Sequence, residues 1–223
     1  MRQGATAFCC WSGGKESALS FYQAQAKGIN ICSLLNMVSR DGRRSCSHGI
    51  DTGCLRLQAE AIGVPIIQAR TSWSNYEDDF KKQVLELKDK GLQMGVFGDI
   101  DLQEHRDWIE RVCGEVGINP VLPLWQQSRE QLLAEFIQIG FKAIVIATQA
   151  KFLGKAWLGR RIDHDFIEDL KSRPELDLCG EQGEYHTFVF DGPIFTKPVD
   201  FRVSEKLLRD AHWFLELIPG IPE

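Results

Sequence analysis

The chain has 223 residues, of which 43% are apolar and 26% are charged, and its formal net charge is −5 at pH 7. No apolar run approaches the roughly 18 residues that a membrane-spanning helix needs, so we expect no membrane contact. The acidic balance argues against a general nucleic-acid binder, which needs a dominant basic field, although it leaves room for a local basic patch.

Apolar runs typical of β-strands alternate with helical patterns up to about residue 148. The predicted strands, in chain order, are 7–11, 31–38, 65–69, 95–99, 120–122 and 143–147. The predicted helices are 17–27, 55–62, 76–90, 102–116 and 129–139, the last with Ser128 as its N-cap. A glycine follows each of these helices, and glycine most readily adopts the left-handed conformation that ends a helix.

Strands that alternate with helices and read as continuous apolar runs predict a parallel sheet covered by helices on both faces. We therefore expect an α/β fold with five or more parallel strands in residues 1–148. Beyond Thr148 glycine and aromatic residues become frequent, which predicts a smaller C-terminal α+β domain over residues 149–223. Ligands of such sheets bind beyond the carboxyl ends of the strands. The loops at those ends follow Trp11, Val38, Ala69 and Phe97.

The segment Ser12-Gly13-Gly14-Lys15-Glu16-Ser17, here called the 12–17 loop, lies between the first predicted strand and the first predicted helix. Its glycines allow a tight turn and close backbone approach to a ligand, and the unpaired N–H groups at the helix start attract anions. It is not a Walker A loop, because Cys9 and Glu16 stand where that motif needs glycine and serine or threonine. The alternative is a plain glycine turn with a capping serine, but the position at the first strand-to-helix turn favours an anion site.

The 12–17 loop resembles the pyrophosphate-binding loop of the PP-loop ATP pyrophosphatases, which include amide-forming synthetases and tRNA-thiolating enzymes. The resemblance implies a Rossmann-like fold of the adenine nucleotide alpha-hydrolase type that binds ATP with Mg²⁺. It also implies that the β- and γ-phosphates leave together as pyrophosphate, so that the α-phosphate is open to attack. Most members carry aspartate at the position of Glu16. The residues implied to hold pyrophosphate are Ser12, Gly13, Gly14, Lys15 and Ser17.

Further motifs resemble the diphthine–ammonia ligase family over about residues 8–195. They are Met37-Val38-Ser39 with His48, Gly98-Asp99-Ile100 with His105-Arg106, Pro123-Leu124-Trp125, Trp157-Leu158-Gly159, and the segment 179–188 leading to Asp191-Gly192-Pro193. That family usually reads Gly-Glu-Gly-Gly-Glu-(Tyr/Phe)-Glu-Thr, whereas here Gln182 replaces the middle glycine and His186 the last glutamate. The histidine form looks like a bacterial branch, for which corrinoid-related amidation is an alternative.

The resemblance implies an enzyme that adenylates a carboxylate with release of pyrophosphate and then releases AMP when ammonia attacks the acyl carbon. The acid is a small molecule or is carried by a protein, and free ammonium is the expected nitrogen source because no glutaminase region is evident. The nucleotide-binding residues would be those of the 12–17 loop named above, together with Met37, Val38 and Gly98. The substrate-binding residues would be His48, Asp99, Arg106, Gly159, Glu181, Glu184 and His186. The catalytic residues would be Lys15, Glu184 and His186.

Two glutamates and a histidine in the 179–188 segment have more than one physical interpretation. Glu181 and Glu184, beside Tyr185, could hold a cationic group such as a trimethylammonium through charge and cation–π contact. They could instead take a proton from ammonium if their mutual repulsion raises a pKa, or they could form a solvated acidic turn. His186 could be an acid/base group or a structural histidine bonded to the backbone.

Other candidates follow the predicted strands. Asp99, at the tip of the fourth strand, could bind Mg²⁺ or substrate, or it could cap the helix that follows. His48 lies in the loop after the second strand and could reach the nucleotide. Arg106 could anchor the substrate, but an exposed ion pair is the alternative. We expect Trp73, Trp108 and Trp125 to be core or pocket wall rather than stacking platforms.

The seven cysteines are scattered and include no Cys-x-x-Cys pair. This pattern indicates reduced thiols in a cytoplasmic protein, in keeping with a start that has no signal-peptide pattern, and it offers no metal-ligand spacing. One rival function is tRNA thiolation, which would need reactive cysteines near ATP, such as Cys46 and Cys179. A second rival is a non-catalytic nucleotide sensor that releases no pyrophosphate. A homodimer is left open.

Overall fold

A computed structural model describes residues 5–220, and this part of the chain forms nine β-strands and six α-helices. The strands are β1 (Thr6–Cys10), β2 (Asn30–Val38), β3 (Ile66–Arg70), β4 (Met94–Val96), β5 (Asn119–Val121), β6 (Lys142–Gln149), β7 (Tyr185–Asp191), β8 (Phe201–Arg209) and β9 (His212–Pro219). The helices are α1 (Lys15–Ala26), α2 (Thr52–Ile62), α3 (Tyr76–Asp89), α4 (Gln103–Val116), α5 (Arg129–Gln138) and α6 (His164–Lys171).

The first five strands form one parallel sheet in the order β3-β2-β1-β4-β5. The chain builds outward from β1 in one direction and then returns to the other side of β1 with β4. The strand order therefore reverses between β1 and β4, and a crevice opens at the carboxyl ends of these two strands. This reversal places the 12–17 loop at the centre of the edge where ligands bind.

Helices cover both faces of the parallel sheet. One core contains Ala18, Phe21 and Leu55 from α1 and α2, and it continues into the C-terminal part of the chain. The second core packs Phe80 and Val112, from α3 and α4, against the opposite face. The predicted five-stranded α/β fold is thus confirmed. No helix in residues 5–220 is both long enough and apolar enough to cross a membrane.

The last four strands form a separate antiparallel sheet in the order β7-β6-β9-β8. With α6, this sheet forms the smaller C-terminal α+β part that the sequence predicts. The strand predicted at 143–147 belongs to this sheet and not to the parallel one. A buried apolar strand reads alike in either sheet, because periodicity does not reveal its partner. The boundary at residue 148 stays a prediction, and the pairing of β6 favours a boundary before this strand.

Candidate active site

A cavity of about 600 Å³ lies at the carboxyl edge of the parallel sheet. Its floor is the 12–17 loop and the ends of β1, β2 and β4, and the segment 179–187 of the C-terminal part forms one wall. Residues from α3 and α4 form the opposite wall. The site is therefore built by both parts of the chain, at the point where the strand order reverses.

The 12–17 loop is held from below by a buried glutamine. The Gln58 side-chain amide donates hydrogen bonds to the carbonyls of Gly13 at 3.0 Å and Val189 at 2.6 Å, and its oxygen accepts from the Trp11 indole at 2.8 Å. Gln58 is fully buried, so these bonds lie out of reach of water. The glutamine thereby joins the residue that follows β1, the 12–17 loop and β7. Sequence reasoning missed it, because nothing in its helical pattern marks it as different from a surface glutamine.

Both glycines of the loop are needed for space. Gly13 has a φ of +82°, and a Cβ there would lie 2.5 Å from Leu55 Cδ2. A Cβ at Gly14 would lie 2.7 Å from His48 Cε1, so the histidine ring fills the room that this glycine leaves. Gly98 plays a similar part, since its Cβ would come within 3.0 Å of the Glu16 backbone. The glycines thus bring the loop against its neighbours.

Some polar groups of the 12–17 loop form hydrogen bonds within the protein. Ser12 Oγ lies 3.3 Å from Ser17 Oγ, and both serines line the cavity. The Lys15 backbone N–H donates to Thr187 Oγ1 at 3.0 Å, so one of the amides at the start of α1 is bound to β7. The sequence pattern predicts free amides at this helix start, and the structure shows that one of them is occupied.

Lys15 is 4% exposed, and its side chain faces the C-terminal wall of the cavity. Its Nζ lies 2.5 Å from both Glu16 Oε1 and the Cys179 carbonyl oxygen, and 4.5 Å from the centre of the Tyr185 ring. Burial is the largest single effect and would lower the pKa of Lys15, but the charge and hydrogen bond of Glu16, together with Tyr185 and Cys179, outweigh it and the pKa is raised. The lysine is therefore a permanent cation at the base of the cavity.

Glu184 does not face the cavity. Its side chain is buried, and its two oxygens accept the backbone N–H groups of Asp177 at 3.2 Å and Gln182 at 3.1 Å. Asp177 similarly accepts the backbone N–H of Cys179 at 2.8 Å and pairs with Arg129 at 2.9 Å. The expectation that Glu184 contacts the substrate does not fit this geometry, because its carboxylate is consumed in shaping the 177–184 loop.

We expect Glu184→Ala to lower the free energy of unfolding by about 2–4 kcal/mol. The buried N–H of Asp177 and the partly buried N–H of Gln182 both lose their acceptors, and the loss costs about 1–3 kcal/mol for a fully buried group. Urea denaturation measures this change, and Glu175→Ala, at an exposed position of the same region, is the matched control. A variant that lost activity but unfolded like the wild type would contradict the structural role and restore the catalytic one.

Glu181 is the acid of this segment that does line the cavity. Burial, followed by the nearby charge of Glu16, raises its pKa to about 8.

Asp99 lines the cavity at the end of β4 and is 3.0 Å from His105 Nδ1, and this hydrogen bond raises the pKa of His105. His105 is a further cavity residue that the sequence placed in a motif without a role.

Two histidines form the part of the wall next to the 12–17 loop. The rings of His48 and His186 are stacked, with centres 4.3 Å apart and planes at 24°. Burial, the charge of Lys15 and the charge of His212 lower the pKa of His186 to about 4. Burial, His186 and Lys15 hold the pKa of His48 well below its usual range. Both rings therefore stay uncharged at neutral pH.

The opposite end of the cavity is apolar. Met37 and Phe97, from the ends of β2 and β4, meet side chains at the start of α3. The Tyr76 ring stacks between Trp73 at 5.8 Å and Phe80 at 6.4 Å. The aromatic residues that line this end are Trp73, Tyr76, Phe80, Phe97 and Trp108. Trp73 and Trp108 are thus in the pocket wall, as expected, whereas the sequence did not single out Tyr76 and Phe80.

Not every predicted site residue lines the cavity. Arg106 pairs with Glu110 at 2.6 Å and lies over the Trp125 ring at 4.9 Å, so it takes the exposed ion pair that was the alternative. Gly159 and Val38 lie outside the cavity lining, whereas Met37, next to Val38, is part of it. The predicted residues that do line it are Ser12, Lys15, Ser17, Met37, His48, Gly98, Asp99, Glu181 and His186.

Comparisons with known proteins agree on one family. The model for the diphthamide synthase N-terminal domain matches residues 5–120, and the model for the C-terminal domain matches residues 128–218. Diphthine–ammonia ligases of Mus musculus and Homo sapiens are 29% and 28% identical, over 91% of this chain and 85% of theirs. The ligase of Schizosaccharomyces pombe is 28% identical over 84% of this chain and 34% of its own.

Among solved structures, a predicted subunit of tRNA methyltransferase from Methanocaldococcus jannaschii aligns with a TM-score of 0.45 and 16% identity, over 83% of this chain and 96% of that one. The two family models together span nearly all of the described residues, and they match the two sheets in turn. On this match the chain belongs to the diphthamide synthase family.

Proposed function

We propose that the chain is an ATP-dependent carboxylate–ammonia ligase that produces AMP and pyrophosphate. The observation that carries this proposal is the position of the 12–17 loop, at the reversal of strand order and on the floor of a cavity large enough for a nucleotide and an acid. The name of the curated relatives, diphthine–ammonia ligase, supports the same reaction type.

In this proposal ATP lies across the floor of the cavity. The triphosphate binds at the start of α1, where Ser12, Ser17 and the helix dipole favour an anion. The adenine enters the apolar end beside Met37, where Tyr76 and Phe97 offer aromatic surface. This arrangement assigns Gly13 and Gly14 to shaping the loop rather than to filling the cavity wall.

Mg²⁺ fits this site through the nucleotide. Within the described part of the chain, no group of three or more histidine, cysteine or acidic side chains is placed to hold a metal ion. Mg²⁺ commonly needs only one or two carboxylates when phosphates supply the other ligands. Asp99, at the cavity edge, is the carboxylate that we assign to it. When bound, the ion would neutralise charge on the phosphates.

The first step forms a bond between a carboxylate oxygen of the substrate and the α-phosphorus, and breaks the bond from that phosphorus to the bridging oxygen of pyrophosphate. The products are an acyl-adenylate and pyrophosphate. Lys15, which stays charged, stabilises the negative charge that develops on the leaving group. Its buried pairing with Glu16 keeps the ammonium in place before ATP binds.

In the second step the lone pair of ammonia attacks the acyl carbon, the C–O bond to AMP breaks, and the nitrogen then releases one of its three protons to water to give the neutral amide. Ammonium must first lose a proton. We assign the proton acceptor to the carboxylate form of Glu181, which is the minor form at pH 7, because its pKa of about 8 lies closer to that of ammonium than the pKa of about 4 at His186. Glu184, whose oxygens are bound within its own loop, contributes by holding Glu181 in the wall.

The products of ATP cleavage test the proposed function. The chain is incubated with ATP, Mg²⁺, ammonium chloride and a pool of candidate acids, and nucleotides and phosphates are separated. We expect AMP and pyrophosphate in equal amounts, formed only when an acid is present. Formation of ADP and phosphate would contradict the ligase, and binding of ATP without turnover by any acid would favour the nucleotide sensor.

The thiolation rival predicts that cysteines are essential. Burial raises the pKa of the Cys46 and Cys179 thiols, so neither is activated as a thiolate nucleophile. We therefore expect the double variant Cys46→Ala, Cys179→Ala to keep pyrophosphate release within about threefold of the wild type. Cys32→Ala, near the amino end of β2 and outside the cavity lining, is the control. Complete loss of turnover in a folded double variant would revive the rival.

A further inference from the structure

The geometry around the stacked rings of His48 and His186 favours the neutral form of both imidazoles. Among residues 5–220, His48 Nδ1 is buried and has no hydrogen-bond partner, and its ring rests against Gly14 at the start of α1. A proton on this nitrogen would be buried without an acceptor, whereas a lone pair there faces the positive end of the helix dipole. His48 is therefore neutral, with its proton on Nε2.

The surroundings of the pair oppose any positive charge. Two protonated rings at 4.3 Å would repel each other, and Lys15 already places a cation nearby. His186 feels the same lysine and also His212 from β9. The pair thus presents uncharged imidazoles to the cavity, with N–H donors and nitrogen acceptors but no negative charge.

The carboxyl groups of the cavity do not supply a counter-charge either. In the described chain three of them line it, namely Glu16, Asp99 and Glu181. Glu16 is paired with Lys15 and Asp99 with His105. Glu181 is half-buried, and its partial burial raises its pKa to about 8, which favours the protonated form at pH 7.

Tyr185 offers no open aromatic face for a cation. The Lys15 ammonium already lies over its ring, at 4.5 Å from the ring centre. The expectation that Tyr185 and the two glutamates could hold a trimethylammonium therefore does not fit. The Tyr185 ring faces Lys15, the Glu184 oxygens accept backbone N–H groups, and Glu181 favours its protonated form at pH 7. A quaternary ammonium at this end would lose its water without gaining an anion or a free ring face.

We propose that the His48–His186 pair selects an acid whose group at this end of the cavity is uncharged, and that it rejects acids carrying a quaternary ammonium there. The inference rests on the proposed function, because it names the substrate class of the same site. It separates this chain from any ligase whose acid carries a trimethylammonium group, and it makes His186 a residue that determines specificity.

Two acids of nearly identical shape test the proposal. Glycine betaine and 3,3-dimethylbutanoate differ only in having N⁺ or carbon at the branched centre. Their dissociation constants are measured by calorimetry with the full chain and a non-hydrolysable ATP analogue. We expect wild type to bind the neutral acid at least tenfold more tightly. His186→Glu should shift this ratio at least tenfold toward betaine. His164→Glu adds the same charge at an exposed position outside the cavity lining and should leave the ratio within threefold.

The outcomes are decisive in each direction. Equal binding, tighter binding of betaine, or binding of neither acid by the wild type would overturn the inference. NMR titration of the His48 and His186 ring protons provides a second measurement if His186→Glu does not fold. Both rings should have a pKa below 6, and a pKa above 6 at either would overturn the inference. Failure of the proposed function is distinguishable, since it would appear as absent nucleotide binding or absent pyrophosphate release while the ratio of acid affinities still stands.

Discussion

Replacing Lys15 with methionine is expected to lower ATP–pyrophosphate exchange by about 10²–10³-fold, which is the effect of removing one preorganised group from a developing anion. Methionine keeps much of the aliphatic stem and its packing on Tyr185, while the charge beside the leaving pyrophosphate is lost. Exchange is measured with labelled pyrophosphate and an acid that supports it in the wild type.

The control for this prediction is Lys27→Met, which removes an exposed lysine at the other end of α1. We expect exchange by this variant to equal that of wild type. Lys15→Met also leaves Glu16 without its cation, so thermal unfolding is recorded alongside to show that the variant is folded. Normal exchange by folded Lys15→Met protein would reject the role assigned to the ammonium.

Gly13→Ala is expected to cost about 2–5 kcal/mol of unfolding free energy. A left-handed φ costs a residue with a Cβ about 1–2 kcal/mol, and overpacking a full core costs about 1–3 kcal/mol more. The new methyl group would meet Leu55 at 2.5 Å and Gln58 Oε1 at 2.8 Å. Because Gln58 holds both the loop and β7, we expect nucleotide affinity to fall as well. Urea denaturation and a nucleotide titration measure the two effects.

Gly28→Ala is a control that separates backbone strain at a positive φ from steric crowding of the new methyl group. Gly28 has a φ of +81°, almost the value at Gly13, but a Cβ there would meet nothing within 4 Å. This control should cost about 1–2 kcal/mol and leave nucleotide binding unchanged. Equal destabilisation by the two variants would show that the packing beneath the 12–17 loop contributes nothing.

The site residues divide by whether a local pattern marks them. Ser12, Lys15 and Ser17 were predictable because a glycine turn between a strand and a helix has a physical meaning that does not depend on the rest of the fold. Asp99 was predictable because a polar residue follows an apolar strand. Gln58 and Thr187 were not, since their importance comes from hydrogen bonds across 45 and 172 residues of sequence.

Glu184 shows why residue type alone is a poor guide to role. Two glutamates around a glycine look equivalent in sequence, yet Glu181 faces the cavity and Glu184 binds backbone N–H groups of its own loop. The role of Arg106 could not be read from its residue type either. Its ion pair with Glu110, on the next turn of α4, keeps it out of the cavity lining. Loop geometry and partner distance, not composition, separate these outcomes.

The sequence by itself determined the alternation of strands and helices, the parallel sheet, and the glycine loop at its first turn, because each depends on short-range periodicity and backbone freedom. Only the tertiary structure decided that β6 joins the antiparallel sheet, that Lys15 faces Tyr185, and that His48 stacks on His186. These contacts join segments far apart in the chain, and whether a buried charge or ring is paired depends on what the folding chain brings beside it.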